Sequence, residues 1–141
     1  MRLSPIILSL LALAAGIAPV AAQTSPPADS GTLIVERVVE GDTTKSYAVF
    51  LPPGHATSRR WPTLVLMDPR GRALVPLERF RPAAAELGYV IVSSYDTSSD
   101  QPTSGEDTRA AVEAVLNDAA ERFALDLRRL YLVGFSGTAR M

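Results

Sequence analysis

The residues best equipped for chemistry stand near the end of the sequence, in Gly134-Phe135-Ser136-Gly137. A serine hydroxyl becomes a useful nucleophile only when a base takes its proton and an acid orients that base. A Gly-x-Ser stretch between a buried strand and a helix can hold the serine in a strained turn with its hydroxyl exposed. Neighbours two positions away crowd each other in such a turn, so they are usually glycine. The N–H of Gly137 would then point at a developing oxyanion, assisted by the positive end of the following helix. At about 7% glycine, a bare Gly-x-Ser recurs by chance in every few chains of this length, so its position must carry the argument. Thr138 stands where a second glycine is usual and brings a β-branched side chain to the tight spot. A plain Gly/Ser turn entering a helix is the competing reading.

The elements around this stretch follow from hydrophobic periodicity. Thr32 to Val39 alternates and is rich in β-branched residues, Glu40-Gly41-Asp42 has turn chemistry, and Lys45 to Leu51 resumes the strand pattern, which together predict a hairpin. Pro52-Pro53-Gly54 ends it, and His55 to Trp61 reads as a polar loop in which His55 is a solvent-facing residue. Thr63 to Met67, Tyr89 to Val92 and Leu130 to Val133 are short apolar runs without alternation, the pattern of strands buried on both faces of a parallel sheet. Between them, Pro76 to Leu87 and Gly105 to Phe123 have helical spacing, with Gly88 closing the first helix. Asp126-Leu127-Arg128-Arg129 reads as a turn before the last strand. The predicted order is a hairpin followed by β-α-β-α-β, an α/β fold with a mostly parallel sheet.

The first 22 residues read as a signal peptide. Arg2 supplies a positive start, Ile6 to Ile17 is almost unbroken apolar sequence, and Val20-Ala21-Ala22 offers small residues for cleavage after Ala22. The run is short for a membrane span of ~20 residues and is bracketed by Pro5 and Pro19, so no stable span is expected after cleavage. This implies a secreted or periplasmic location. Residues 23–31 are a Pro/Ser-rich linker, and 32–141 the folded domain. There is no cysteine, hence no disulfide, thiolate metal site or lipid-attachment cysteine. Cleavage would remove one Arg and no acid, turning the 14 basic and 15 acidic residues of the sequence into 13 and 15. Scattered arginine pairs with acids nearby do not suggest a nucleic-acid partner. No motif points to a metal, nucleotide or other cofactor.

The predicted order resembles the first five strands and two helices of the α/β-hydrolase fold. Asp126 to Met141 (DLRRLYLVGFSGTARM) is similar to the elbow region of the esterase, dienelactone hydrolase and prolyl-oligopeptidase-like group. Many members run from Asp-x-x-Arg-aliphatic-Tyr into Gly-Phe-Ser-Gly-Gly-Ala-Arg, and Thr138 is the clear departure. Tyr47 to Pro53, ahead of Trp61-Pro62 and a buried strand, resembles the same enzymes. The resemblance implies Ser136 as nucleophile and Gly137 N–H as one oxyanion donor. The second donor in this fold comes from the loop after the first parallel strand, here Asp68-Pro69-Arg70-Gly71-Arg72. Pro69 has no N–H, which leaves the backbone N–H of Arg70 as the candidate. The side chains of Arg70 and Arg72 read equally well as ordinary loop charges.

The acid and histidine of this fold follow the serine in chain order. The five residues after Ser136 contain no Asp, Glu or His, and the only histidine, His55, comes before the first parallel strand. Asp96 and Asp100 fall in a loop at the same sheet edge but suit turn formation, and Asp107 suits a helix N-terminus. The expectation is therefore half of a domain, C-terminally truncated and inactive by itself. Its complete form would be a serine hydrolase acting on a small-molecule ester or a peptide. A non-catalytic binding domain of the same fold, or a gene fragment without function, are the alternatives.

Overall fold

The structure is a computed structural model and describes residues 31–100 and 104–140. The expected signal peptide, its cleavage after Ala22 and all of the expected linker except Gly31 lie outside the described residues. The elements are β1 (Thr32–Val39), β2 (Asp42–Leu51), β3 (Trp61–Met67), α1 (Leu74–Leu87), β4 (Val90–Ser94), α2 (Ser104–Phe123), β5 (Leu125–Gly134) and a 3₁₀ turn at Ser136–Arg140.

One five-stranded sheet runs β1-β2-β4-β3-β5. The hairpin β1–β2 is antiparallel and joins the sheet through an antiparallel pairing of β2 with β4, whereas β4, β3 and β5 are mutually parallel. Parallel neighbours need long crossovers, which α1 and α2 supply. The chain steps from β3 to β4 in one direction and from β4 past β3 to β5 in the other. Crossovers of one hand then place the two helices on opposite faces.

The core has two corresponding halves. Tyr47, Val49, Val90 and Val92 face Val115, Ala119 and Phe123 of α2. Ala48, Phe50, Leu66 and Ile91 face Leu77 and Ala84 of α1. Adjacent residues of β2 thus serve opposite faces, as the two-residue period of a strand requires. Gly88 ends α1 in a left-handed conformation (φ 74°), and its N–H and that of Tyr89 both return to Ala84 O at 3.0 and 2.9 Å.

Two expectations need correction. Asp126 to Arg129 is not a turn before the last strand but part of β5, which begins at Leu125. Its turn chemistry is spent on a bulge. Trp61 pairs with Leu125 and Thr63 with Leu130, so the extra residues loop out while Asp126 binds the Arg128 N–H at 3.0 Å and Arg129 Nε at 2.7 Å. Nor is β5 buried on both faces. It is an edge strand of the described sheet, with Tyr131 47% and Leu132 61% exposed.

A buried carboxylate fastens the hairpin to α2. Asp118 accepts from Tyr47 Oη at 2.6 Å, Glu40 N–H at 3.1 Å, Arg122 Nε at 3.0 Å and Arg37 Nε at 3.2 Å. Arg122 also pairs with Glu40. Burial opposes the charge on Asp118, but the bonds from Tyr47, Glu40, Arg122 and Arg37 outweigh it and hold the carboxyl at about 2. Because the folded value lies below the ordinary 3.8, this stabilisation is complete above about pH 4 and is lost as pH falls toward 2. Asp118→Ala, which strands two arginines and a buried phenol, is expected to cost roughly 3–5 kcal/mol at neutral pH. Urea denaturation at pH 7 and pH 2.5 checks both statements: the difference between the wild-type and variant midpoints should shrink at the lower pH.

Candidate active site

The carboxyl ends of the parallel strands β3, β4 and β5 open on one sheet edge, where three loops meet. In open α/β sheets this edge is where ligands bind. At the end of β5 the chain enters the 3₁₀ turn through Ser136, which has φ 55° and an exposed side chain. A left-handed backbone is uncommon for a residue with a Cβ and costs energy that its surroundings must offset.

Those surroundings explain the residue types. A Cβ on Gly134 would meet Thr138 O at 2.5 Å and the Ala139 backbone at 2.6 Å. A Cβ on Gly137 would collide with the Ser99 side chain from the loop after β4. The 138 position, by contrast, has room for its side chain. Thr138 is fully buried, and its Oγ1 lies 2.7 Å from Met67 O and 2.8 Å from Phe135 O while accepting from Phe135 N–H at 2.9 Å. The residue that departs from the usual glycine is thus a clamp between the turn and the end of β3. Gly137 lies in the first turn, where an N–H has no intrahelical acceptor.

A cleft of ≈ 270 Å³ opens beside Ser136. Phe135 and Ser136 form one side, Asp68, Pro69 and Arg72 a second, and Val75, Pro76 and Arg79 of α1 a third. Phe135 is braced edge-on by Phe80 with ring centroids 6.4 Å apart.

The loop after β3 is organised by Asp68, which is buried. Its Oδ1 accepts from the Arg70 N–H at 2.9 Å, the Arg72 N–H at 3.2 Å and Arg72 Nε at 3.0 Å, and its Oδ2 from Arg72 Nη2 at 3.0 Å. Burial works against this charge, but the Arg72 guanidinium and the N–H groups of Arg70 and Arg72 hold the carboxyl below its ordinary range. Asp68 O takes the Thr97 hydroxyl at 2.8 Å, and Pro69 O takes the Ser99 N–H at 3.1 Å, so the loops after β3 and β4 form one platform.

The Arg70 N–H, the expected second oxyanion donor, is committed to Asp68, and the Arg70 side chain lies away from the cleft, paired with Asp100 at 3.4 Å. Asp96 accepts the Ser46 N–H at 2.7 Å and so ties its loop to β2, and Asp107 sits in the first turn of α2. His55 is not a solvent-facing loop residue. It is half-buried, stacked on Trp61 at 5.3 Å, with Nε2 2.9 Å from Phe123 O. That places it at the opposite end of β3 from Ser136, and the strand's seven residues at ~3.3 Å each make the separation roughly 20 Å. Asp68, Arg79 and Ser99 are further residues around the serine turn. Only Asp68 had a signal in the sequence, an Asp-Pro-x-Gly turn in which aspartate commonly binds the backbone two residues on.

The fold has counterparts among solved structures. An S-formylglutathione hydrolase from Agrobacterium tumefaciens matches with a TM-score of 0.58 at 16% identity, over 81% of this chain and 52% of that one. A CE1 ferulic acid esterase from Anaeromyces mucronatus matches at 0.57 and 15% identity, over 78% and 50%. An acetyl xylan esterase from Aspergillus awamori matches at 0.54 and 11%, over 74% and 42%. The chain has an α/β-hydrolase fold. It spans about half the length of the α/β hydrolases it matches. No family model and no curated protein matches its sequence.

The Thr138 clamp makes a prediction that separates hydroxyl from bulk. Thr138→Val keeps the shape but removes the shorter of the two bonds made by the Phe135 N–H and by Met67 O, leaving only their mutual 3.3 Å contact, at an expected cost of about 1–3 kcal/mol. Gly134→Ala forces a backbone collision and should cost more. Urea titration of both variants beside the parent gives the order; a Thr138→Val midpoint equal to the parent's contradicts the clamp.

Proposed function

We propose that this chain carries the nucleophile-bearing half of a serine hydrolase that cleaves a carboxylic ester or a peptide bond through an acyl-Ser136 intermediate. The carrying observation is the left-handed Ser136 at the strand-to-helix junction, hydroxyl exposed, beside the ≈ 270 Å³ cleft. In this reading the turn is a nucleophile elbow. A base removes the Ser136 proton as Oγ bonds to the substrate carbonyl carbon, and the carbonyl π pair moves onto oxygen. The Gly137 N–H stabilises that oxyanion. Collapse expels the alkoxide or amine, which takes the proton from the base, and water then releases the acyl group by the same steps reversed in role.

Support comes from the company the fold keeps: the solved structures it resembles include esterases and an S-formylglutathione hydrolase. In this fold the base and its acid follow the serine in chain order. His55, at the far end of β3, does not reach Ser136, so residues 1–141 alone are expected to be inactive. The amino-terminal signal assigns the enzyme to the periplasm or the exterior.

A fluorophosphonate probe tests the nucleophile directly. The full-length product should be labelled, Ser136→Ala should not, and residues 1–141 by themselves should stay at background. Equal labelling of the parent and Ser136→Ala would remove Ser136 from the mechanism.

A further inference from the structure

An oxyanion is held by at least two donors in this type of site, and in the reading above the Gly137 N–H is one. The loop across the cleft from Ser136 has no backbone donor left between Pro69 and Arg72. Pro69 has no N–H. The Arg70 and Arg72 N–H groups donate to Asp68 Oδ1 at 2.9 and 3.2 Å, and the Gly71 N–H donates to Asp68 O at 3.2 Å. Gly71 cannot easily be re-aimed, because it sits at φ 64° with the Tyr95 carbonyl against its Cα.

One residue of this loop that borders the cleft still has free donors. Arg72 lines it together with Ser136. Its guanidinium is gripped on one edge only, Nε and Nη2 each 3.0 Å from the Asp68 carboxylate. Of its five N–H bonds this leaves three, on a side chain that is 51% exposed while the Asp68 side chain is 5% exposed. Such a fork is planar and rigid, so fixing one edge fixes the direction of the other. Arg79, the other cation of the cleft, has no ion-pair partner among the described residues and no comparable anchor.

We propose that the free edge of the Arg72 guanidinium is the second oxyanion donor, a charged side chain doing what the loop backbone cannot. The inference rests on the serine-hydrolase reading given above. Arg72 donates hydrogen bonds and keeps its protons throughout; Asp68 is a positioning residue that aims it. A charged donor strengthens as charge develops on the oxygen, so the gain falls on the transition state more than on bound substrate.

The test uses the full-length enzyme with a chromogenic ester and a boronic acid that forms a tetrahedral anion on the serine. Arg72→Ala is expected to lower kcat by roughly 10²–10³-fold with KM within about threefold, and to weaken the boronate by a similar factor. Arg72→Lys keeps the charge but not the fork, and should fall between the variant and the parent. If Arg72→Ala does not fold, Arg72→Lys still decides, through a kcat deficit of about tenfold at unchanged KM. A kcat within threefold of the parent in either variant overturns the assignment. So does a loss confined to KM, or equal weakening of the boronate and of the carboxylate product. Turnover persisting in Ser136→Ala would instead sink the serine-hydrolase reading itself, and the two failures are therefore distinguishable.

Discussion

The left-handed backbone of Ser136 is the constraint from which the rest of the site follows. Holding φ at 55° with a Cβ present costs on the order of 1–3 kcal/mol, and nothing local to the serine repays it. The turn is instead forced from outside. Gly134 lets the chain double back until Thr138 and Ala139 lie where its Cβ would be, and Gly137 lets Ser99 close over the other side. The Thr138 hydroxyl then fastens the returned chain to Phe135 and Met67, through bonds worth about 0.5–1.5 kcal/mol each. The strain and the bonds that offset it are of similar size, so the conformation survives only because all of them act together.

The loop across the cleft solves the opposite problem. A buried carboxylate is tolerated when its lone pairs are filled, and Asp68 fills them with two backbone N–H groups and the edge of a guanidinium. That satisfies the charge by drawing the N–H groups inward and away from the cleft. The cost of a well-satisfied aspartate is therefore a loop that presents side chains, rather than backbone, to whatever binds. The same loop is held to its neighbour by the Thr97 hydroxyl and the Ser99 N–H, so Asp68 also sets the height at which Ser99 meets Gly137.

The strands, the helices and the serine turn were legible in the sequence because each depends on local pattern. A short apolar run bounded by turn residues reads as a buried strand, and a glycine two residues before a serine after such a strand reads as a strained turn. What could not be read depends on partners distant in sequence. Thr138 looked like an intrusion because its acceptor, Met67 O, is 71 residues away. Asp126 to Arg129 carried honest turn chemistry, but pairing of the flanking residues with β3 turned it into a bulge. β5 had the composition of a central strand, and composition does not reveal which neighbours are present. Arg70 and Arg72 differ by two positions in one loop, and only the aim of Asp68 tells them apart.

These ties converge on one atom. Among the described residues β5 has a single neighbour, so the position of Ser136 relative to the cleft is inherited from β3. The register ends with Met67 opposite Gly134, and the Met67 carbonyl then accepts both the Phe135 N–H at 3.3 Å and the Thr138 hydroxyl at 2.7 Å. A carbonyl has two lone pairs, and both are used on the residues that flank the serine. The residue immediately after the strand is Asp68, which begins the loop carrying Arg72. Nucleophile and opposing loop are thus set by adjacent residues, the last of β3 through its carbonyl and the first of the loop through its carboxylate. A shift in the end of that strand would move both sides of the cleft together, which preserves their spacing better than two independent supports could.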